Sequence, residues 1–188
     1  HFHPDHFNKE VLQWREQRPD IIYIFSKDIL RHRRAQKEDA VWLKKGEEYK
    51  DETLSVRAFG STDVGVSFLL QASGKKIFHA GDLNNWHWMD ESTEAEWKGA
   101  EKNFLHELDD LYAYTPEVDV AMFPVDPRLG KEYMRGAGQF VTKIKTHIFV
   151  PMHFTPEYAK ANAFRDFAEA HGVRFVSLTH RGQKIEIE

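Results

Sequence analysis

The sequence predicts an α+β protein in which layered sheets are covered by helices, and three observations carry that expectation. Strand-like segments follow one another from Ala40 to Asp82, strand and helix patterns alternate from Val118 onward, and between them runs one long helical repeat. The chain has 188 residues, 41% of them hydrophobic, with no short-period repeat and no linker-like tract, so one domain over residues 1–188 is expected.

In chain order, the opening "HFHPDH" runs directly into Phe7, Val11 and Trp14. Their i, i+4, i+7 spacing predicts a helix from about Pro4 or Asp5, with the histidines on the turn before it. "IIYIFS", bounded by Pro19 and Asp20, reads as a buried strand, and a charged helix is expected over Lys27–Lys37. "VWLKK", "TLSVRAFG", "VGVSFLLQA" and "KKIFHAGD" read as strands, with "ASGKK" turning a hairpin between the last two. Thr93 and Glu96 form a capping box, after which Trp97, Ala100, Phe104, Leu108, Leu111 and Tyr112 recur at helical spacing. Then come a strand in "VDVAMFPV", a helix over Tyr133–Ile144, a strand in "HIFVPMH" and a helix to Ala170 stopped by Gly172. "VRFVSL" and "KIEIE" complete the pattern as strands.

Composition narrows the chemistry. Cysteine is absent, so disulfides, thiol nucleophiles and thiolate ligands are excluded, and any metal must be held by His, Asp and Glu. That ligand set suits zinc, iron or manganese alike. No apolar run approaches bilayer length, so a soluble protein with no membrane partner is expected, located in the cytoplasm. A formal charge of −4, with acids and bases mixed, gives no support to a nucleic-acid surface; the basic cluster "RHRRAQK" reads as a solvated helix face.

Several apolar strands end in ionisable residues. "KKIFHAGD" delivers His79 and Asp82, "VAMFPVD" delivers Asp126, and "HIFVPMH" delivers His153. Strand ends fix the backbone while leaving a side chain open to a pocket, so such residues can converge on one site. Each also has a local reading. Asp82 after Gly81 could cap a turn, His153 could be a hydrogen-bonded boundary histidine, and Asp5 beside Pro4 could cap a helix.

The run H-x-H-x-D-H at His1–His6, a later Gly-Asp at a strand end and a late strand-end histidine resemble, in that order, the metallo-β-lactamase superfamily of metal-dependent hydrolases. The likeness covers nearly the whole chain; the first motif is strong, and the other two gain weight from their order. It implies a four-layer αββα sandwich with the metal centre at the edge between the sheets. The family has strands before the histidine motif, so the chain is expected to be N-terminally incomplete. By position, His1 and His3 resemble ligands of a first metal, Asp5 and His6 ligands of a second, Asp82 the bridging carboxylate and His153 the final ligand. The family's further histidine is missing from "FGSTDVGVSF", where Asp63 is the one strong anionic donor. Asp63 is either a substitute ligand or a turn residue.

The resemblance implies one or two divalent ions, zinc first, with manganese or iron as alternatives. A bound cation lowers the pKa of its water from about 16 to about 7, which makes a nucleophile available at neutral pH. Asp5 and Asp82 would orient that nucleophile. "GDLNNWHW" follows Asp82 directly, so Asn84, Asn85, Trp86, His87 and Trp88 are expected at the pocket rim. Asn84 and His87 are the substrate-binding candidates, with His87 or His79 also able to protonate a leaving group. Trp88 is expected to pack on the following helix. Arg128 either holds a substrate anion or pairs with Asp126. The expected activity is hydrolysis of a small ester, lactone, thioester or phosphodiester, closest to the compact bacterial proteins related to sugar-phosphate lactonases. An iron-dependent redox protein and a non-catalytic metal-binding module on the same fold are the alternatives, and an oligomer is compatible with either.

Overall fold

Alternating apolar residues give the middle of the chain two distinct faces, and the fold is built on them. In the computed structural model, which describes residues 1–186, β1 (Ile24–Ser26) leads through α1 (Lys27–Arg31) to β2 (Val41–Leu43), and the two strands pair in parallel. Among the described residues the main sheet has seven strands in sequence order: β3 (Glu48–Lys50), β4 (Leu54–Phe59), β5 (Ser67–Ala72), β6 (Lys75–His79), β7 (Glu117–Pro124), β8 (Lys145–Met152) and β9 (Arg174–Phe175). Strands β3 to β6 are antiparallel, and β6 to β9 are parallel. The β5–β6 hairpin turns on Ser73 (φ 51) and Gly74 (φ 75), two left-handed residues of the kind that match strand twist in short hairpins.

On one face, Phe59, Leu69, Phe78, Ala121, Phe123 and Phe149 meet α2 (Glu94–Tyr114), α3 (Arg135–Lys143), α4 (Tyr158–Asn162) and α5 (Arg165–Ala170). The stripe expected on α2 buries Phe104, Leu108 and Leu111 completely, at about 1.5–3 kcal/mol each, whereas Tyr112 stays exposed. Its capping box forms as expected, with the Thr93 amide donating to Glu96 Oε2 at 2.8 Å. On the opposite face, Val56 and Ala58 of β4 pack against Leu43, Val41 and Ile24 of the β1–β2 pair. This pair is the second, smaller sheet layer of the chain. Among the described residues no helix is long and apolar enough to cross a membrane.

Four expectations are corrected. The N-terminal helix is a 3-10 helix, Lys9–Glu16, capped by Asn8, whose side chain accepts from the Glu10 amide at 3.0 Å; Trp14 is exposed, so the stripe is not packed along its length. The Lys27–Lys37 helix stops at Arg31. Arg33 turns left-handed (φ 55), and Arg34 N donates back to Ile29 O at 3.0 Å, which closes the helix and returns Ala35 to the core beside Ile29. The helix before Gly172 is two short ones, α4 and α5. "KIEIE" is not a strand over Lys184–Glu186, and its last two residues lie outside the described residues.

Candidate metal centre

Strands β6, β7 and β8 run parallel, so their carboxyl ends share one edge of the sheet, where ligand sites of open sheets lie. Asp82, Asp126 and His153 follow these three ends. Gly81 (φ 56) turns the chain just before Asp82, at a place where a Cβ would come within 3.0 Å of Val66 O. The "HFHPDH" turn meets this edge from the other side. His6 N and Phe7 N both donate to His3 O, Phe2 N donates to Asp28 Oδ2 at 2.8 Å, and the Phe2 ring stacks on His32. Gly65 leaves room for His1, since a Cβ there would lie 2.5 Å from the His1 Cβ.

The buried Asp82 carboxylate stands between two histidine pairs. Its Oδ2 is 3.3 Å from His1 Nε2, which is itself 3.0 Å from His3 Nδ1. Its Oδ1 is 3.2 Å from His6 Nε2 and 3.2 Å from His153 Nε2. Two groups of three donors result, His1–His3–Asp82 and His6–Asp82–His153, and within each the donor atoms lie within 4.8 Å of one another. These are convergent nitrogen and oxygen donors, and Asp82 Oδ1 is buried with no hydrogen-bond partner. Two imidazole nitrogens face this buried oxygen at 3.2 Å without a well-formed hydrogen bond, and a cation among them satisfies oxygen and nitrogens together. The residues therefore fit a metal ion.

Electrostatics around the groups is set by Asp126, which has no exposed surface. It accepts from His153 Nδ1 at 2.9 Å and from the forked guanidinium of Arg128. Burial opposes its ionisation, but the bonds from His153 and Arg128 outweigh burial and hold its carboxyl at about 2. In the ion-free protein the Asp126 and Asp82 carboxylates push the His153 imidazole up to about 9. Burial lowers His6, although Asp82 and Asp5 act the other way.

The groups open onto a cavity of about 420 Å³. Asp5, expected as a ligand, lines this cavity with its side chain largely exposed, and its Oδ2 is 3.8 Å from His6 Nε2. Asp63 lines the same cavity but belongs to neither three-donor group. Arg128 also faces it, while two of its nitrogens are engaged by Asp126. Asn84 and His87 are not at the rim. Asn84 is fully buried against Gly136, where a Cβ would lie 2.0 Å from its Oδ1, and His87 lies 3.1 Å from Glu132 O through Nε2. The indoles of Trp86 and Trp88 occupy the cavity wall instead. Arg128 pairs with Asp126, one of its two expected roles, and the contact of Asp126 with His153 has no sequence signal beyond their shared strand-end position.

No protein-family model and no curated protein matches the sequence. Solved structures do share its fold. A candidate metal-dependent hydrolase from Parabacteroides distasonis superposes with a TM-score of 0.65 at 16% identity, over 94% of this chain and 72% of that one. The metallo-β-lactamase fold protein YhfI from Bacillus subtilis gives 0.58 at 9% identity, over 94% and 70%. CmlA, a diiron β-hydroxylase from Streptomyces venezuelae, gives 0.60 at 13% identity, over 94% of this chain and 42% of that one. The chain is thus an α/β protein with the metallo-β-lactamase fold, and its candidate metal site is made of His and Asp.

Proposed function

We propose that the protein is a metal-dependent hydrolase acting on a small ester, lactone, thioester or phosphodiester. The observation that carries the reading is the sharing of Asp82 between two histidine pairs, one oxygen to each. His1, His3 and Asp82 Oδ2 would hold one ion; His6, His153 and Asp82 Oδ1 would hold another, with zinc the first candidate. Bound there, a divalent ion supplies an acidified water and polarises the substrate's oxygen.

The chain's own residues do the rest. Asp126 accepts only, so it keeps the His153 proton on Nδ1 and leaves the Nε2 lone pair facing the site. Arg128 balances the charge of Asp126 from the solvent side. Asp5, exposed at the cavity, is the carboxylate placed to accept a proton from the attacking water. A cavity of about 420 Å³ suits a small molecule.

The same nitrogen and oxygen donors suit iron, and the fold shared with a diiron hydroxylase favours an iron-dependent oxidation as the second reading. Elemental analysis of the isolated protein separates the two. The direct test is Asp82→Ala, which should lose nearly all bound metal and all ester hydrolysis while keeping its circular dichroism spectrum. Unchanged metal content in that variant would falsify the assignment.

A further inference from the structure

From Asn85 to Trp88 the loop alternates in direction, and its two inward residues, Asn85 and His87, are polar. Asn85 Nδ2 donates to Gln139 Oε1 at 2.9 Å, and His87 is bonded by Met89 N at Nδ1 and lies beside Glu132 O at Nε2. These buried anchors leave Trp86 and Trp88, the residues between and after them, facing the cavity. Trp86 Nε1 donates to Asp82 O at 2.8 Å, so its one donor is already used and what it offers the cavity is its ring. Its indole also meets His153 edge to face, at 5.4 Å between centroids. The Trp88 indole lies nearly parallel to it, at 16° and 6.3 Å.

Trp88 adopts φ 44, a left-handed conformation that costs energy for a bulky side chain. Its carbonyl accepts from Glu91 N and Ser92 N, so the surrounding loop enforces that backbone. Here it carries the second indole to the cavity wall beside the first.

Resting on the hydrolase reading, we propose that Trp86 and Trp88 form a stacking surface for a flat ring of the substrate, next to the bond that is cleaved. The ring is a planar aryl group, matched to the two nearly parallel indoles. Trp88 is a specificity-determining residue, and Asn85 and His87 are the positioning residues that turn the indoles outward.

The test compares two carboxylates of equal carbon number by calorimetry on the zinc-loaded protein: planar benzoate and puckered cyclohexanecarboxylate. Benzoate should bind about three- to tenfold more tightly than cyclohexanecarboxylate. Trp88→Asn, which relaxes the left-handed backbone, should abolish that preference while zinc content is kept and the melting temperature is unchanged or raised. The proposal is overturned by equal affinities, by no detectable binding of benzoate, or by a preference that survives in Trp88→Asn. The two readings separate in turnover. Ring preference with no ester hydrolysis removes the hydrolase and keeps the stacking surface. Equal hydrolysis of benzyl and cyclohexylmethyl acetates keeps the hydrolase and removes the stacking surface.

Discussion

Asp126 has no contact with solvent, yet a guanidinium and an imidazole both converge on its two oxygens. An imidazole that donates to a carboxylate is fixed in tautomer and ring angle, so the effect of Asp126 on the site runs through His153. Asp126→Asn keeps an acceptor of the same shape, and the half-exposed Arg128 head can turn to water. Zinc affinity in that variant should fall about 10–100-fold, read by competition with a chromophoric chelator, with the fold retained. At this scale the sequence offered the donors that meet in the two groups, together with Asp5 and Asp63, which join neither. "HFHPDH" places its imidazoles by local spacing, and Asp82 and His153 end strands whose direction follows from the pattern. It did not show which residues of "NNWHW" point inward, because that depends on the φ of Trp88 and on acceptors at Glu132 and Gln139, far along the chain.

At the level of elements, the β3–β4 hairpin depends on Asp51. Its carboxylate accepts from the Thr53 amide at 2.7 Å, the Leu54 amide at 3.0 Å and the Tyr49 hydroxyl at 3.0 Å. These bonds, the Thr53 amide foremost, hold Asp51 at about 2, below its ordinary 3.8. The folded value is the depressed one, so its stabilisation is present above the ordinary value and is lost as pH falls through about 2. A carbon-detected titration should place the Asp51 midpoint near 2. Asp51→Ala should lack one component of the acid-induced loss of stability seen between pH 4 and 2. Element type was legible wherever periodicity was long, as in α2 and β4 to β8. It was not legible where a local closure competes, as at Arg33, where return of Ala35 to the core ends α1 early.

Across the molecule, the proposed ions would join the start of the chain to the ends of β6 and β8, segments otherwise linked there by few hydrogen bonds. A ligand that binds only the folded state stabilises it by about 2.7 kcal/mol at a hundredfold excess over its Kd. For a chain of this length, a strong chelator should therefore lower the melting temperature by on the order of 5–10 °C. Asp82→Ala should melt at the same temperature with and without chelator. Topology was legible in outline, since consecutive strands pair and the alternating half becomes parallel. Which face of the main sheet the β1–β2 pair covers was not, because sequence pattern does not say where a short strand will pack.

One carboxylate facing two ways makes the halves of the centre inseparable at that position. A one-ion version of the proposed centre would be engineered through an imidazole, His3 for one half or His6 for the other, since a change at Asp82 would touch both seats at once.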